Sequence, residues 1–232
     1  MNSLFFIIDE EQTEVLKACI FDLDGTLVDS LESIHYSVNA TLEELGLKQI
    51  TKEQCQAFVG NGARYLMERS LEAAGDSELK YLEKAMEIYM RIFEMGCVYH
   101  VKPYKGVREL LMKLKEKGVR LAVLSNKPHM QTLQVVCSVF GKDIFDYVQG
   151  QCEEIPRKPD PMAVYIIADK LGIAKEDILY IGDSETDMQT GHAAGLKTVG
   201  VSWGFRSREA LKMSGADSVV DRAEEIYHLY FA

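Results

Sequence analysis

The sequence predicts an α/β fold: a mostly parallel sheet covered by helices on both faces and interrupted by one all-helical block. Short apolar, β-rich runs alternate with segments of helical periodicity, and several of those runs stop abruptly in acids or hydroxyls. The stretch from about residue 31 to residue 100 carries no strand signal at all.

The first run, Lys17 to Phe21, ends in Asp22-Leu23-Asp24-Gly25-Thr26 and reads as a buried strand meeting a loop. Open α/β sheets place their chemistry at that edge. Asp22 and Asp24 would share a face only in a regular strand. Gly25 lets the backbone bend there, so both carboxylates can converge on one ligand. An EF-hand loop is excluded, because Leu27 stands where that loop needs glycine and Ser33 where it needs a bidentate glutamate.

Beyond Asp29, Leu31, Ile34, Val38, Leu42 and Leu45 form a three-four stripe on a helix ending at Gly46. Thr51 and Gln54 have capping-box spacing and open a second helix. Gly60-Asn61-Gly62 breaks it, and Leu66, Met67, Leu71 and Ala74 begin a third. Leu79, Leu82, Met86, Tyr89 and Phe93 mark a longer stripe, read as core. The block is too long for a single crossover, so residues 31–100 are expected to be an inserted helical cap. Residues 17–30 and 101–232 then form the α/β core into which it is inserted. Residues 1–16 read equally as an extra edge strand or a loosely attached arm.

After the turn at Pro103, Val107, Leu110, Leu111 and Leu114 predict a helix. Val119 to Leu124 predicts a strand that delivers Ser125-Asn126-Lys127-Pro128 at its end, and Met130, Leu133, Cys137 and Phe140 mark the next helix. Tyr147 to Gly150 is a short strand candidate, and Lys158-Pro159-Asp160-Pro161 precedes a helix running to Leu171. Ile178 to Gly182 is a further strand, ending in Asp183-Ser184-Glu185-Thr186-Asp187. A short helix follows to Ala194, then strands at Thr198–Val201 and Ser218–Val220 and a helix near Ile226.

The chain has 232 residues, enough for a sizeable core. Its formal net charge of -10 argues against a nucleic-acid partner, which requires clustered Lys and Arg. Five cysteines without a Cys-x-x-Cys pair read as reduced residues of a cytoplasmic protein. Cys97 and His100 alone make a poor zinc site. Leu4 to Ile8 is too short for a signal-peptide core, and no later run is long and uncharged enough to span a bilayer.

In a parallel sheet the strand C-termini share one edge, so Asp22, Asp24, Thr26, Ser125, Asn126, Lys158, Asp183 and Asp187 can meet. Three carboxylates within about 4 Å repel by roughly 4 kcal/mol per pair at an effective dielectric near 20, so a cation must sit among them. Oxygen ligands without His or Cys favour Mg²⁺, and Lys158 adds a second positive charge. Acids, lysine and hydroxyls together suit phosphoryl transfer.

The four motifs, in this order, resemble those of the haloacid dehalogenase-like phosphohydrolases. The resemblance implies a Rossmann-like three-layer core. It implies Asp22 as the nucleophile forming an aspartyl-phosphate and Asp24 as general acid and then base. It also implies phosphoryl binding by Ser125 and Asn126, with Thr26 supporting the first loop and Lys158 neutralising charge. Asp22, the Asp24 carbonyl and Asp183 would hold Mg²⁺, with Asp187 behind them or acting through water. An acid at Asp24 is absent from the superfamily's dehalogenases and implies a phosphate ester substrate.

Val59-Gly60-Asn61-Gly62-Ala63-Arg64 resembles the cap loop of the phosphoglycolate phosphatase-like group, with Gly62 and Arg64 expected to reach an anionic substrate tail. A Mg²⁺-dependent phosphatase of a small phosphorylated metabolite is the implied function, phosphoglycolate being the best single substrate. A β-phosphoglucomutase-type mutase, a pyrophosphatase and a phosphate-binding regulatory module stay open. His35 lies one position from where the mutases carry a cap-hinge histidine. Monomer and homodimer are both compatible with the sequence.

Overall fold

The computed structural model describes residues 16–232, so the strand or arm expected over residues 1–16 lies, Leu16 apart, outside the described residues. Strand β1 (Ala18–Phe21) is buried along its whole length. It leads through a loop turned at Gly25, where φ is +91°, into the two-residue strand β2 (Val28–Asp29). The loop is tied by Gly25 N–H donating to the Val28 carbonyl at 2.9 Å and Val28 N–H to the Leu23 carbonyl at 3.0 Å.

Four helices follow: α1 (Leu31–Glu44), α2 (Lys52–Phe58), α3 (Gly62–Ala74) and α4 (Leu82–Gly96). The Thr51–Gln54 capping box forms as expected, and Gly75 closes α3 in the left-handed conformation that favours glycine. The apolar stripe of α4 buries Leu82, Ala85, Ile88, Tyr89 and Phe93, with the last two rings stacked at 5.0 Å. Strand β3 (Lys102–Pro103) returns the chain by pairing antiparallel with β2. This two-stranded ribbon through which the chain leaves and re-enters the core was not foreseen, because two-residue strands are too short to show a period.

The remaining chain alternates: α5 (Val107–Glu116), β4 (Arg120–Pro128), α6 (His129–Phe140), β5 (Tyr147–Gln151), α7 (Met162–Leu171), β6 (Ile178–Gly182), α8 (Glu185–Ala194), β7 (Lys197–Val201), α9 (Arg208–Met213), β8 (Ser218–Val220) and α10 (Ala223–Tyr230). The six-stranded sheet has the order β5-β4-β1-β6-β7-β8, and every neighbouring pair is parallel. Cys19 and Phe21 point into one apolar layer with residues of α5 and α10. Ala18 and Ile20 point into the opposite layer with Val164 and Ile167 of α7. A strand buried on both faces reads as a continuous apolar run, as β1 does.

Two expectations need correction. Strand β4 does not stop at Leu124 but continues to Pro128, with a register shift against β5 between those residues, so Ser125 and Asn126 sit in an irregular strand end. The face of α6 was also misread: Met130 is 68% exposed and Cys137 exposed, whereas Gln131, Thr132, Val135, Val136 and Val139 are buried. All five cysteines are free thiols, with Cys19, Cys55 and Cys97 buried. Among the described residues no helix is long and apolar enough to cross a membrane.

Candidate active site

Asp22 follows the last residue of β1, where its N–H still donates to the Ile181 carbonyl of β6 at 2.9 Å. Strand pairing therefore sets its position. The Lys158 ammonium, delivered by the segment between β5 and α7, donates to Asp22 Oδ1 at 2.8 Å, to Asp187 Oδ1 at 2.7 Å and to the Leu124 carbonyl at 3.2 Å. Burial works against this ammonium, but the charges of Asp187 and Asp22 hold it protonated well above the ordinary lysine range.

Asp187 is fully buried. Its Oδ2 accepts from the N–H and hydroxyl of Ser184, the N-cap of α8, while Oδ1 accepts from Lys158. It thus lies behind the lysine with both oxygens engaged. Asp183, at the end of β6, accepts from the Thr26 hydroxyl at 3.3 Å and from the Phe205 N–H at 2.7 Å.

Carboxylate oxygens of Asp22, Asp183 and Asp187 all lie within 4.8 Å of one another. Burial, opposed by Lys158 and reinforced by Asp187, pushes the Asp22 carboxyl up to about 7. Burial, then the charges of Asp22 and Asp187, raises Asp183 well above the usual carboxylate range. One ammonium among three buried acids leaves negative charge uncompensated, and the donor set is entirely oxygen. That chemistry fits a hard divalent cation such as Mg²⁺.

Asp24 turns the other way. Its Oδ1 accepts from the Ser30 hydroxyl at 2.5 Å and from the Lys127 ammonium at 2.9 Å, and Lys127 also reaches Oδ2 at 3.1 Å. Asp22, Asp24, Ser125, Asn126, Lys127, Lys158 and Asp183 face one cavity that opens to solvent. Its opposite wall comes from the helical block: Ile34, Val59, Gly60, Gly62, Leu66, Tyr89 and Phe93.

One sequence expectation is corrected here. Arg64 does not line the cavity: it sits on the outer face of α3, paired with Glu83 at 2.5 Å and Glu68 at 3.5 Å. Thr26 is buried and holds the first loop against Asp183 through its hydroxyl, without lining the cavity. The Asn126 side chain lines the cavity and also ties the core together, its Oδ1 accepting from the Lys158 N–H and its amide donating to the Lys158 and Gly60 carbonyls. His35 bonds to the Ile50 carbonyl and to Asn39, away from the cavity.

Several site residues went unrecognised in the sequence. Lys127 adjoins the predicted Ser125-Asn126 pair and could have been found there. The loop after β7 also follows a strand of the same parallel edge. It supplies Gly204, packed against Asp183, and the Phe205 N–H. Its Arg206 donates to the Gln56 and Val59 carbonyls and to Glu185. Trp203 anchors the loop by donating to the Thr26 carbonyl at 3.0 Å.

Comparison with known proteins adds independent findings. The family model described as haloacid dehalogenase-like hydrolase matches residues 19–201. A phosphoglycolate phosphatase of Haemophilus influenzae is 35% identical over 210 residues, spanning 87% of this chain and 92% of that one. One from Aquifex aeolicus is 32% identical over 190 residues, spanning 82% and 86%. The crystal structure of a Haemophilus somnus protein, assigned by prediction as a phosphoglycolate phosphatase, superposes with a TM-score of 0.85 at 30% identity, covering 94% of this chain and 99% of that one.

Proposed function

The chain belongs to the haloacid dehalogenase-like hydrolases and is a phosphoric monoester hydrolase, and from that premise we propose that it cleaves phosphoglycolate with Mg²⁺ through an aspartyl-phosphate on Asp22. The observation that carries the reading is the buried contact of 2.8 Å between Lys158 and Asp22 in the wall of a cavity that Asp24 also faces.

In this reading Asp22 attacks phosphorus while the bond to the leaving alkoxide breaks, and Asp24 gives that oxygen a proton. Lys158 holds the nucleophile and offsets the negative charge gathering on the phosphoryl group. Asp24, now a carboxylate, takes a proton from the water that attacks the aspartyl-phosphate. Inorganic phosphate leaves, Asp22 is restored and Asp24 is again the acid. The Asp22 and Asp183 carboxylates and the Asp24 carbonyl would hold Mg²⁺, which would supply further charge neutralisation. Helices α1–α4 act as a cap that excludes water from this chemistry.

Phosphatase is preferred to phosphomutase because His35 is tied to Ile50 and Asn39 instead of facing the cavity. The test is phosphate release from phosphoglycolate with and without Mg²⁺, beside β-glucose 1-phosphate and pyrophosphate. Mg²⁺-dependent turnover of phosphoglycolate is expected to lead. Isomerisation of the sugar phosphate, or faster cleavage of pyrophosphate, would replace the reading.

A further inference from the structure

Among the described residues three cations line the cavity, and each has an acidic partner. Lys158 is held by Asp22 and Asp187, and Arg206 by Glu185 and two backbone carbonyls. The third, Lys127, has a side chain only 2% exposed, and its ammonium lies 4.7 Å from the centre of the Phe93 ring. It therefore stands where the core meets the helical wall. The wall it faces is made by Ile34, Val59, Leu66, Tyr89 and Phe93, none of which brings a charge.

Lys127 donates to both oxygens of Asp24, and Ser30 adds a contact to one of them. An acid that must protonate a leaving oxygen has to present an oxygen of its own to it. With both engaged, Asp24 is held back until Lys127 finds another anion. The apolar wall supplies none, so the anion must arrive with the substrate.

We propose that Lys127 determines leaving-group specificity: it exchanges Asp24 for a carboxylate carried on the alcohol of the substrate, so that binding itself frees Asp24 for the ester oxygen. The inference rests on the role given to Asp24 above. It names the substrate class as phosphate esters of short hydroxy acids, whose carboxylate lies close enough to the ester oxygen to meet a lysine adjoining Asp24. An ester with a neutral tail leaves the Lys127–Asp24 pair closed.

The test is calorimetric titration of the Mg²⁺-loaded Asp22→Asn protein, which does not turn over, with phosphoglycolate and with ethyl phosphate, each repeated in an Asp22→Asn/Lys127→Met background. The preference for phosphoglycolate over ethyl phosphate is expected to shrink by about 30-fold, as befits the loss of one charge-assisted hydrogen bond. A matching fall in relative kcat/KM is expected when Lys127→Met is made in the active enzyme. Equal weakening of both ligands would make Lys127 a mere support for Asp24 and overturn the proposal, as would undiminished phosphoglycolate binding. Lys127→Gln serves where the methionine variant does not fold. Absence of turnover in the parent enzyme would count against the phosphatase reading, while the binding ratio still judges Lys127.

Discussion

A methyl group placed on Gly204 would lie 2.4 Å from both Cβ and Oδ2 of Asp183, so the loop after β7 and the end of β6 fit together only without a side chain there. Gly25 presses on the same carboxylate, at 2.2 Å by the same measure. Asp183 is therefore held in place by two glycines as well as by its hydrogen bonds.

Gly204→Ala should displace Asp183. Overpacking of this kind costs about 1–3 kcal/mol, which the fold can survive. The Mg²⁺-induced rise in melting temperature should shrink or vanish, with a parallel loss of phosphatase activity. A variant with the parent's Mg²⁺ response would mean that Asp183 does not need this packing.

Lys158→Ala would leave Asp22 and Asp187 buried without their shared partner. Removing one member of a buried ion pair costs about 3–5 kcal/mol, and loss of the charge facing the phosphoryl group should slow turnover by about 10²–10³-fold. Urea unfolding and steady-state rates measure the two effects separately. An unchanged rate would remove Lys158 from the mechanism.

The sheet and the acids at its edge were legible because buried parallel strands are continuous apolar runs that break where the chemistry begins. β1 and β6 both end in this way, at Asp22 and Asp183. Pairing was harder to see where polar residues satisfy the site's own backbone. Thr132 is buried on α6 because its hydroxyl donates to the Lys127 and Pro128 carbonyls, and this inverted the apparent apolar face of that helix. Arg64 looked like an anion binder from its place beside Gly62. Helical spacing instead set it against Glu68 on the outer surface. Lys127 and Arg206 carried no pattern of their own, since their roles depend on partners distant in sequence.

The raised carboxyls give the metal-free protein an unusual pH dependence. Asp22 titrates at about 7 in the fold, against about 3.9 in an unfolded chain. Between these values the folded state retains a proton that the unfolded state has lost, so stability should fall as pH rises from 4 to 7. Asp183 is shifted in the same direction and adds to the slope. Mg²⁺ replaces the proton as the compensating charge and should stabilise more at pH 7.5 than at pH 5. Asp22→Asn should flatten the metal-free slope and abolish turnover without loss of fold. Melting temperatures across this range, with and without Mg²⁺, check all three outcomes; stability that climbs with pH in the metal-free protein would contradict the burial argument.

Arg206 makes a final case, because it joins the core to the wall above the cavity. Its guanidinium donates to the Gln56 carbonyl at 3.1 Å and the Val59 carbonyl at 2.9 Å, while Glu185 holds it at 3.1 Å. Gln56 answers by donating to the Phe205 carbonyl at 3.1 Å, and Arg157 donates to the Asn61 carbonyl at 2.8 Å. The end of α2 and the turn after it are thus fastened to the core mainly through backbone carbonyls, which a change of side chain on the helical side would not release. Arg206→Ala removes two of these bonds at once. If the helical block must close to shield the reaction, substrate should bind about 10-fold more weakly, the lower end expected for hydrogen bonds to a charged donor. Amide exchange over residues 52–62 should quicken at the same time. Glu185→Gln, which leaves the carbonyl contacts intact, should do less on both counts. Unaltered exchange in Arg206→Ala would mean that other contacts hold the block closed.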